Sequence, residues 1–218
     1  MTAAPPADPA AFIRSRLHLV AVPDCPAIRL YAPDARSGLG RLAGTPPYWA
    51  YAWAGGLALA RHLAEHPELV SGRRVLDFGA GTGLLAIAAA QAGAGAVMAA
   101  DIDPAARAAI ALNAAANGAA VAILDADLTA PGAALPEIDI VLAGDVFYLP
   151  RIARRVLPFL ERCAAAGKTV LVGDPFRAPL PRALLQPIAE YQVTDMGQGG
   201  GRKTAAGVFS LPPGALNH

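Results

Sequence analysis

Cysteine and lysine are both scarce in this chain of 218 residues. Cys25 and Cys163 are the only cysteines, far apart and without metal-type spacing, so both are expected as buried thiols. Lys168 and Lys203 are the only lysines, and the net charge is +1 with no basic block. Nothing in that pattern calls for a nucleic-acid partner. Four histidines are present, and His62 and His66 share a helical face, but Leu63 stands where a zinc protease needs glutamate. No metal site is expected. No apolar run is long enough to cross a bilayer; the alanine-rich stretch from Ala105 to Ala120 is short and interrupted. The opening Met1-Thr2-Ala3-Ala4-Pro5-Pro6 lacks the basic flank and apolar core of a signal peptide. A cytoplasmic protein with no membrane partner is the expectation.

What the chain has in quantity is core-forming residue: 55% is hydrophobic and 16% charged, enough for one well-filled α/β domain. Asp8-Pro9 reads as the cap and first-turn proline of a short helix through Phe12, Ile13 and Leu17. A β-like run Ile28–Tyr31 and a Gly/Pro loop, 32–47, follow. Residues 1–45 read as an extension packed on a main domain, 46–218. Apolar strands are expected at 75–78, 96–100, 121–124, 138–144 and 169–173, with helices between them. Pro158 predicts a kink or a late start in the helix carrying Ile152, Val156, Leu160 and Cys163. Leu180, Leu184, Leu185 and Ile188 predict one more helix. Two β-like runs, 191–194 and 207–211, enclose a glycine-rich loop, 197–201. The alternation implies a doubly wound, Rossmann-like, mostly parallel sheet. Asp77, Asp101, Asp127, Asp145 and Asp174 all fall at or just past strand ends, the rim at which such sheets bind ligands.

The chain is organised around Val75-Leu76-Asp77-Phe78-Gly79-Ala80-Gly81-Thr82-Gly83, a strand that turns through alternate glycines into a helix. Without Cβ atoms the turn can take positive φ and let a ligand lie on the main chain. The free amides of the following helix are expected to point at that ligand. The spacing is G-x-G-x-G rather than the G-x-G-x-x-G that cradles a pyrophosphate. Asp77 stands two residues before the first glycine and suits a cationic amine. Asp101, about 20 residues on, suits ribose hydroxyls. A cofactor with a ribose, an ammonium and no phosphate is S-adenosylmethionine.

Both tryptophans lie in Pro46-Pro47-Tyr48-Trp49-Ala50-Tyr51-Ala52-Trp53-Ala54-Gly55-Gly56. That run reads either as a hydrophobic plug or as an aromatic wall facing a cation. After the fourth strand comes Asp145-Val146-Phe147-Tyr148. The N/D-P-P-Y/F turn shared by amino-methylating nucleic-acid enzymes is absent, because Val146-Phe147 replaces both prolines. The paired glutamates of arginine methyltransferases are absent too, since no Glu occurs between Asp139 and Glu161.

These residues, with Ala100-Asp101-Ile102-Asp103-Pro104 and Gly173-Asp174-Pro175, resemble a seven-β-strand S-adenosylmethionine-dependent methyltransferase. More narrowly, they resemble the protein-lysine methyltransferases with a D-x-x-Y/F motif, in particular the electron-transfer-flavoprotein β-subunit group and its bacterial members. The resemblance implies a sheet with one antiparallel strand. It implies that Asp77, Gly79, Ala80, Gly81 and Gly83 hold the methionine end, Asp101 and Ile102 the ribose side, and Asp127 with Leu128 the adenine, Asp125 being the alternative to Asp127. Trp53 would also meet the cofactor, with Trp49 and Phe147 lining a substrate channel. Asp145 and Tyr148 are the implied catalytic pair, Asp145 orienting a lysine amine and Tyr148 completing the channel. The expected products are a methylated lysine and S-adenosylhomocysteine. The expected acceptor is electron-transfer flavoprotein β-subunit or a ribosomal protein, and the expected enzyme a monomer. A small-molecule N-methyltransferase and a non-catalytic cofactor-binding partner protein are the alternatives.

Overall fold

The computed structural model describes residues 8–39, 47–197 and 201–214. Helix α1 (Pro9–Arg16) starts with the Asp8 side chain accepting the Ala11 amide at 3.0 Å. A hairpin follows, β1 (His18–Val22) and β2 (Cys25–Ala32), of which only the second strand was expected. A 3-10 turn at Tyr48–Ala50 leads into α2 (Ala54–Glu65). The alternating part then runs β3 (Arg74–Phe78), α3 (Leu84–Gln91), β4 (Ala96–Ala100), α4 (Pro104–Ala116), β5 (Ala122–Leu124), β6 (Ile140–Gly144), α5 (Pro150–Ala165) and β7 (Thr169–Asp174). The chain closes with β8 (Gln186–Asp195) and β9 (Arg202–Ser210). Residues 198–200 of the glycine-rich loop, and 40–46 of the earlier one, lie outside the described residues.

The main sheet has seven strands in the order β5-β4-β3-β6-β7-β9-β8, and β9 alone runs against the rest. Alternate residues of the buried strands serve opposite faces. Val75, Ile140, Leu142 and Leu171 pack with α2 and α3; Leu76, Val141, Val170 and Val172 pack with α5 through Val156, Phe159 and Leu160. The N-terminal pieces are fastened to α4. Ile13 and Leu17 pack on Ala106 and Ala109, while Asn113 and Asn117 accept the Tyr31 and Arg29 amides at 2.8 and 2.9 Å.

One expectation fails, and one of two alternatives for another is removed. The apolar spacing over 180–188 builds no helix: a 3-10 turn at Arg182–Leu184 is followed directly by β8. Pro187 has no N–H for a helical bond, yet an edge strand tolerates it, and the pairing with β9 slips there between Pro187 and Ala189. Helix α5 starts at Pro150 and runs on through Pro158, so there is no late start; Pro158 faces solvent.

Candidate active site

One cleft of about 450 Å³ opens at the carboxyl ends of β3, β4 and β6, within the usual range for a small-molecule site. Its floor is the glycine turn. Gly79, Gly81 and Gly83 have φ of +68°, +52° and +79°, as the motif requires. A Cβ on Gly81 would stand 3.6 Å from the Trp49 Cα, so the bare turn keeps this wall of the cleft thin. Gly83 lies outside the cleft wall and serves as the left-handed cap of α3, against Ile110.

Several amides of the turn and of the helix start are already engaged. Gly79 and Ala80 donate to the Ala100 carbonyl at 2.9 and 3.1 Å, and Gly81 donates to Asp101 Oδ2 at 2.9 Å. Leu84 donates to Thr82 Oγ1 at 3.3 Å and Ala86 to Asp77 Oδ2 at 2.9 Å. Besides the Thr82 and Leu85 amides, the cleft offers a ligand here the carboxylates of Asp77 and Asp101, which suit a cation better than a pyrophosphate. Asp77 is 1% exposed, and burial, aided by the neighbouring Asp101, pushes its carboxyl up to about 7. Asp101 also sits above its ordinary range, again chiefly through burial, despite accepting the Asp103 and Gly81 amides. Neither acid has a salt-bridge partner among the described residues. The donor set is therefore built for a positively charged ligand.

Along the cleft, Ile102 is 64% exposed at the mouth, and Asp127 and Leu128 line the far end. Asp127 accepts from the Thr129 amide and hydroxyl at 3.0 and 2.6 Å and pairs with Arg155; the Thr129 bonds lead in holding its carboxyl below the ordinary range. Asp125 is turned away, 80% exposed and paired with Arg107.

The aromatic run is both plug and wall. Trp49 is buried against α1 and α4 while also lining the cleft. Trp53 caps the start of α2, its indole N–H donating to the Tyr48 carbonyl at 2.8 Å. Tyr48, absent from the sequence-based site, meets Tyr148 with ring centroids 5.3 Å apart; each is 38% exposed at the mouth. Phe147 is a correction: it is 1% exposed and packs in the core beneath the sheet, outside the cleft wall. Its place after a left-handed Asp145 turns it inward while Tyr148 turns out.

Asp145 is delivered by three backbone approaches that only glycine allows. A Cβ on Gly173 would lie 2.1 Å from the Gly55 carbonyl oxygen, and one on Gly55 2.3 Å from the Gly173 oxygen; one on Gly144 would be 2.9 Å from the Gly56 Cα. Helix α2 can thus start directly on the ends of β6 and β7. Its Gly55 and Gly56 amides donate to Asp145 Oδ1 at 3.2 Å and Oδ2 at 2.6 Å. Arg177, a second residue the sequence reading missed, donates to Asp145 Oδ1 at 2.5 Å and to Asp174 Oδ2 at 3.2 Å. The only hint was an arginine three residues beyond a strand-end acid. Burial outweighs Arg177, and the Asp145 carboxyl lies above its ordinary range. Further along α2, His62 is occupied by the Tyr191 hydroxyl at 2.9 Å.

Sheet order, glycine turn and acid-lined cleft together define an S-adenosylmethionine-dependent methyltransferase. The fold is shared with a putative RNA methyltransferase from Pyrococcus horikoshii, which superposes with a TM-score of 0.60 over 81% of this chain and 94% of that one, at 17% identity. A family model for ribosomal protein L11 methyltransferase (PrmA) matches residues 62–151. Electron transfer flavoprotein beta subunit lysine methyltransferase of Danio rerio is 38% identical over 176 residues, 77% of this chain and 68% of that protein. The Xenopus laevis protein of the same name is 37% identical over 198 residues, 86% and 80% of the two chains. The chain belongs to this lysine methyltransferase family, and it is an S-adenosylmethionine-dependent protein-lysine methyltransferase.

Proposed function

We propose that the acceptor is a lysine of the β-subunit of electron transfer flavoprotein, with Asp145 and Tyr148 at the reacting amine. The observation that carries the target is the 37–38% identity to two enzymes named for that substrate, across most of this chain. S-adenosylmethionine supplies an electrophilic methyl group on a sulfonium. Asp77, Asp101, Asp127 and the glycine turn would hold its ammonium, ribose and adenine ends, the chemistry each wall offers. The amine must present a lone pair, and a free lysine with a pKa of about 10.4 is protonated at neutral pH. A low-dielectric channel beside a positive charge favours the neutral amine. Asp145 Oδ1 accepts two bonds and Oδ2 one, so Oδ2 keeps an acceptor site for an amine N–H. Tyr48 and Tyr148 would flank the entering side chain. Alignment, more than a strong base, supplies the acceleration.

Incubation with labelled cofactor and purified electron transfer flavoprotein, followed by mass spectrometry, tests the target. Label on a lysine of the β-subunit is expected. Label in a cell extract that avoids this subunit would refute it. A ribosomal protein is the second reading, favoured by the match of residues 62–151 to the PrmA model. Asp145→Ala is expected to bind the cofactor normally by calorimetry and to lose methyl transfer; loss of binding would make Asp145 a cofactor residue instead. The proposal includes a cytoplasmic location; among the described residues no helix is long and apolar enough to cross a membrane.

A further inference from the structure

The cleft contains a cation that the reaction as described does not use. Arg177 enters from the turn after β7, where Phe176 takes φ +62°; across from it, at the end of β6, Asp145 takes φ +58°. Two non-glycine residues in the left-handed region persist only where their surroundings over-determine them. Here the determinant is one ionic knot. Gly144 pairs with Gly173 in the sheet, which brings the following acids, Asp145 and Asp174, side by side. Their side chains are 9% and 0% exposed. Arg177 closes the knot with its own amide on Asp174 Oδ1 at 2.7 Å and one guanidinium nitrogen on both acids.

We propose that Arg177 is a positioning residue for methyl transfer: it fixes the Asp145 carboxylate and fills Oδ1, so that the open acceptor site of Oδ2 is the one presented to the lysine. This rests on the reading that Asp145 orients the amine. Two neighbouring buried carboxylates without a cation cannot both stay ionised, and a protonated Asp145 would have no charge with which to hold the amine. The groups facing Asp145 are Arg177 and Asp174 from the end of β7 and the uncharged amides of Gly55 and Gly56 from α2. Removal of Arg177 therefore raises the Asp145 pKa, whereas removal of the Asp174 charge lowers it.

The test compares Arg177→Met, Arg177→Lys and Asp174→Asn with wild type across pH 5–9. Labelled cofactor and an extract of cells lacking the gene serve as the acceptor assay, and calorimetry measures S-adenosylhomocysteine binding. Dividing each variant's rate by that of wild type cancels the lysine's own ionisation. For Arg177→Met the ratio is expected to fall about 100-fold near pH 6 and to recover as pH rises, its acid limb moved up by about one to three units. Product binding is expected to be unchanged. Arg177→Lys is expected to restore most of the rate, and Asp174→Asn to move the limb the opposite way. If Arg177→Met does not fold, the other two carry the same test. Ratios flat with pH in every folded variant would overturn the proposal and leave Arg177 a structural brace. Asp145→Asn separates the two readings. Full activity there removes the role of Asp145; inactivity there with flat ratios elsewhere removes only that of Arg177.

Discussion

Asp77→Asn should make the protein more stable and less able to bind its cofactor, with both effects governed by pH. Asp77 is 1% exposed, with the Ala86 amide as its hydrogen-bond partner, and its carboxyl titrates at about 7 against an ordinary 3.8. Because the folded value lies above the unfolded one, the folded protein holds the proton more tightly. The stability this contributes is complete below pH 3.8 and is lost as pH rises through 7. Three units at 1.36 kcal/mol each give an upper bound of about 4 kcal/mol. Asparagine keeps an oxygen for Ala86 and never ionises. In the absence of cofactor, its Tm advantage over wild type should be near zero at pH 4 and reach about 10 °C by pH 8. On the proposed reading that Asp77 holds the cofactor's ammonium, binding requires the ionised acid, and wild-type affinity should rise with pH through 7. The substitution should cost about 10- to 100-fold in affinity at pH 8, the worth of a charged hydrogen bond. Differential scanning calorimetry and titration calorimetry, the latter in buffers of different ionisation enthalpy to count released protons, read both effects. A Tm difference that does not change between pH 4 and 8 would refute the reasoning.

Gly173→Ala would place a methyl 2.1 Å from the Gly55 oxygen. Helix α2 must then back away from the sheet, with loss of about 1–3 kcal/mol in urea denaturation and of methyl transfer beyond what the stability loss explains, since the Asp145 amides move with it. Asn113, 0% exposed, donates to the Thr82 carbonyl and accepts the Tyr31 amide, both at 2.8 Å. Asn113→Leu strands both groups. It should cost about 2–4 kcal/mol and lower Tm by about 5–10 °C, with hydrogen exchange in β2 rising to match.

The seven-stranded frame was legible because buried parallel strands announce themselves as apolar runs and helices by their caps; Asp103 and Pro104 start α4 as their chemistry requires. What failed were residues whose meaning depends on a partner distant in sequence. Residues 180–188 have helical spacing, and pairing with β9 draws the stretch from Gln186 onward into a strand. Phe147 reads as cleft until the left-handed Asp145 rotates it into the core. His18–Val22 is a short apolar run that is passed over in isolation and becomes a strand because β2 pairs with it. Arg177 carries no motif at all; its role arises from the register that sets Gly144 beside Gly173.

The strand-end acids look alike in sequence, yet the fold divides them by what neutralises them. Asp127 pairs with Arg155, and Asp145 and Asp174 share Arg177. Asp77 and Asp101 have backbone amides alone. Of the strand-end acids, these two alone have a carboxylate that no arginine bonds among the described residues, and both lie beside the glycine turn. Asp127 has one arginine to itself, whereas Asp145 and Asp174 have one between them. On the proposed reading of the site, an ammonium-bearing cofactor would be drawn to the glycine-turn end, and the methyl donor would be oriented before the lysine arrives. Motif spacing alone gives no such direction; it comes from where the arginines are, and from where the chain withholds them.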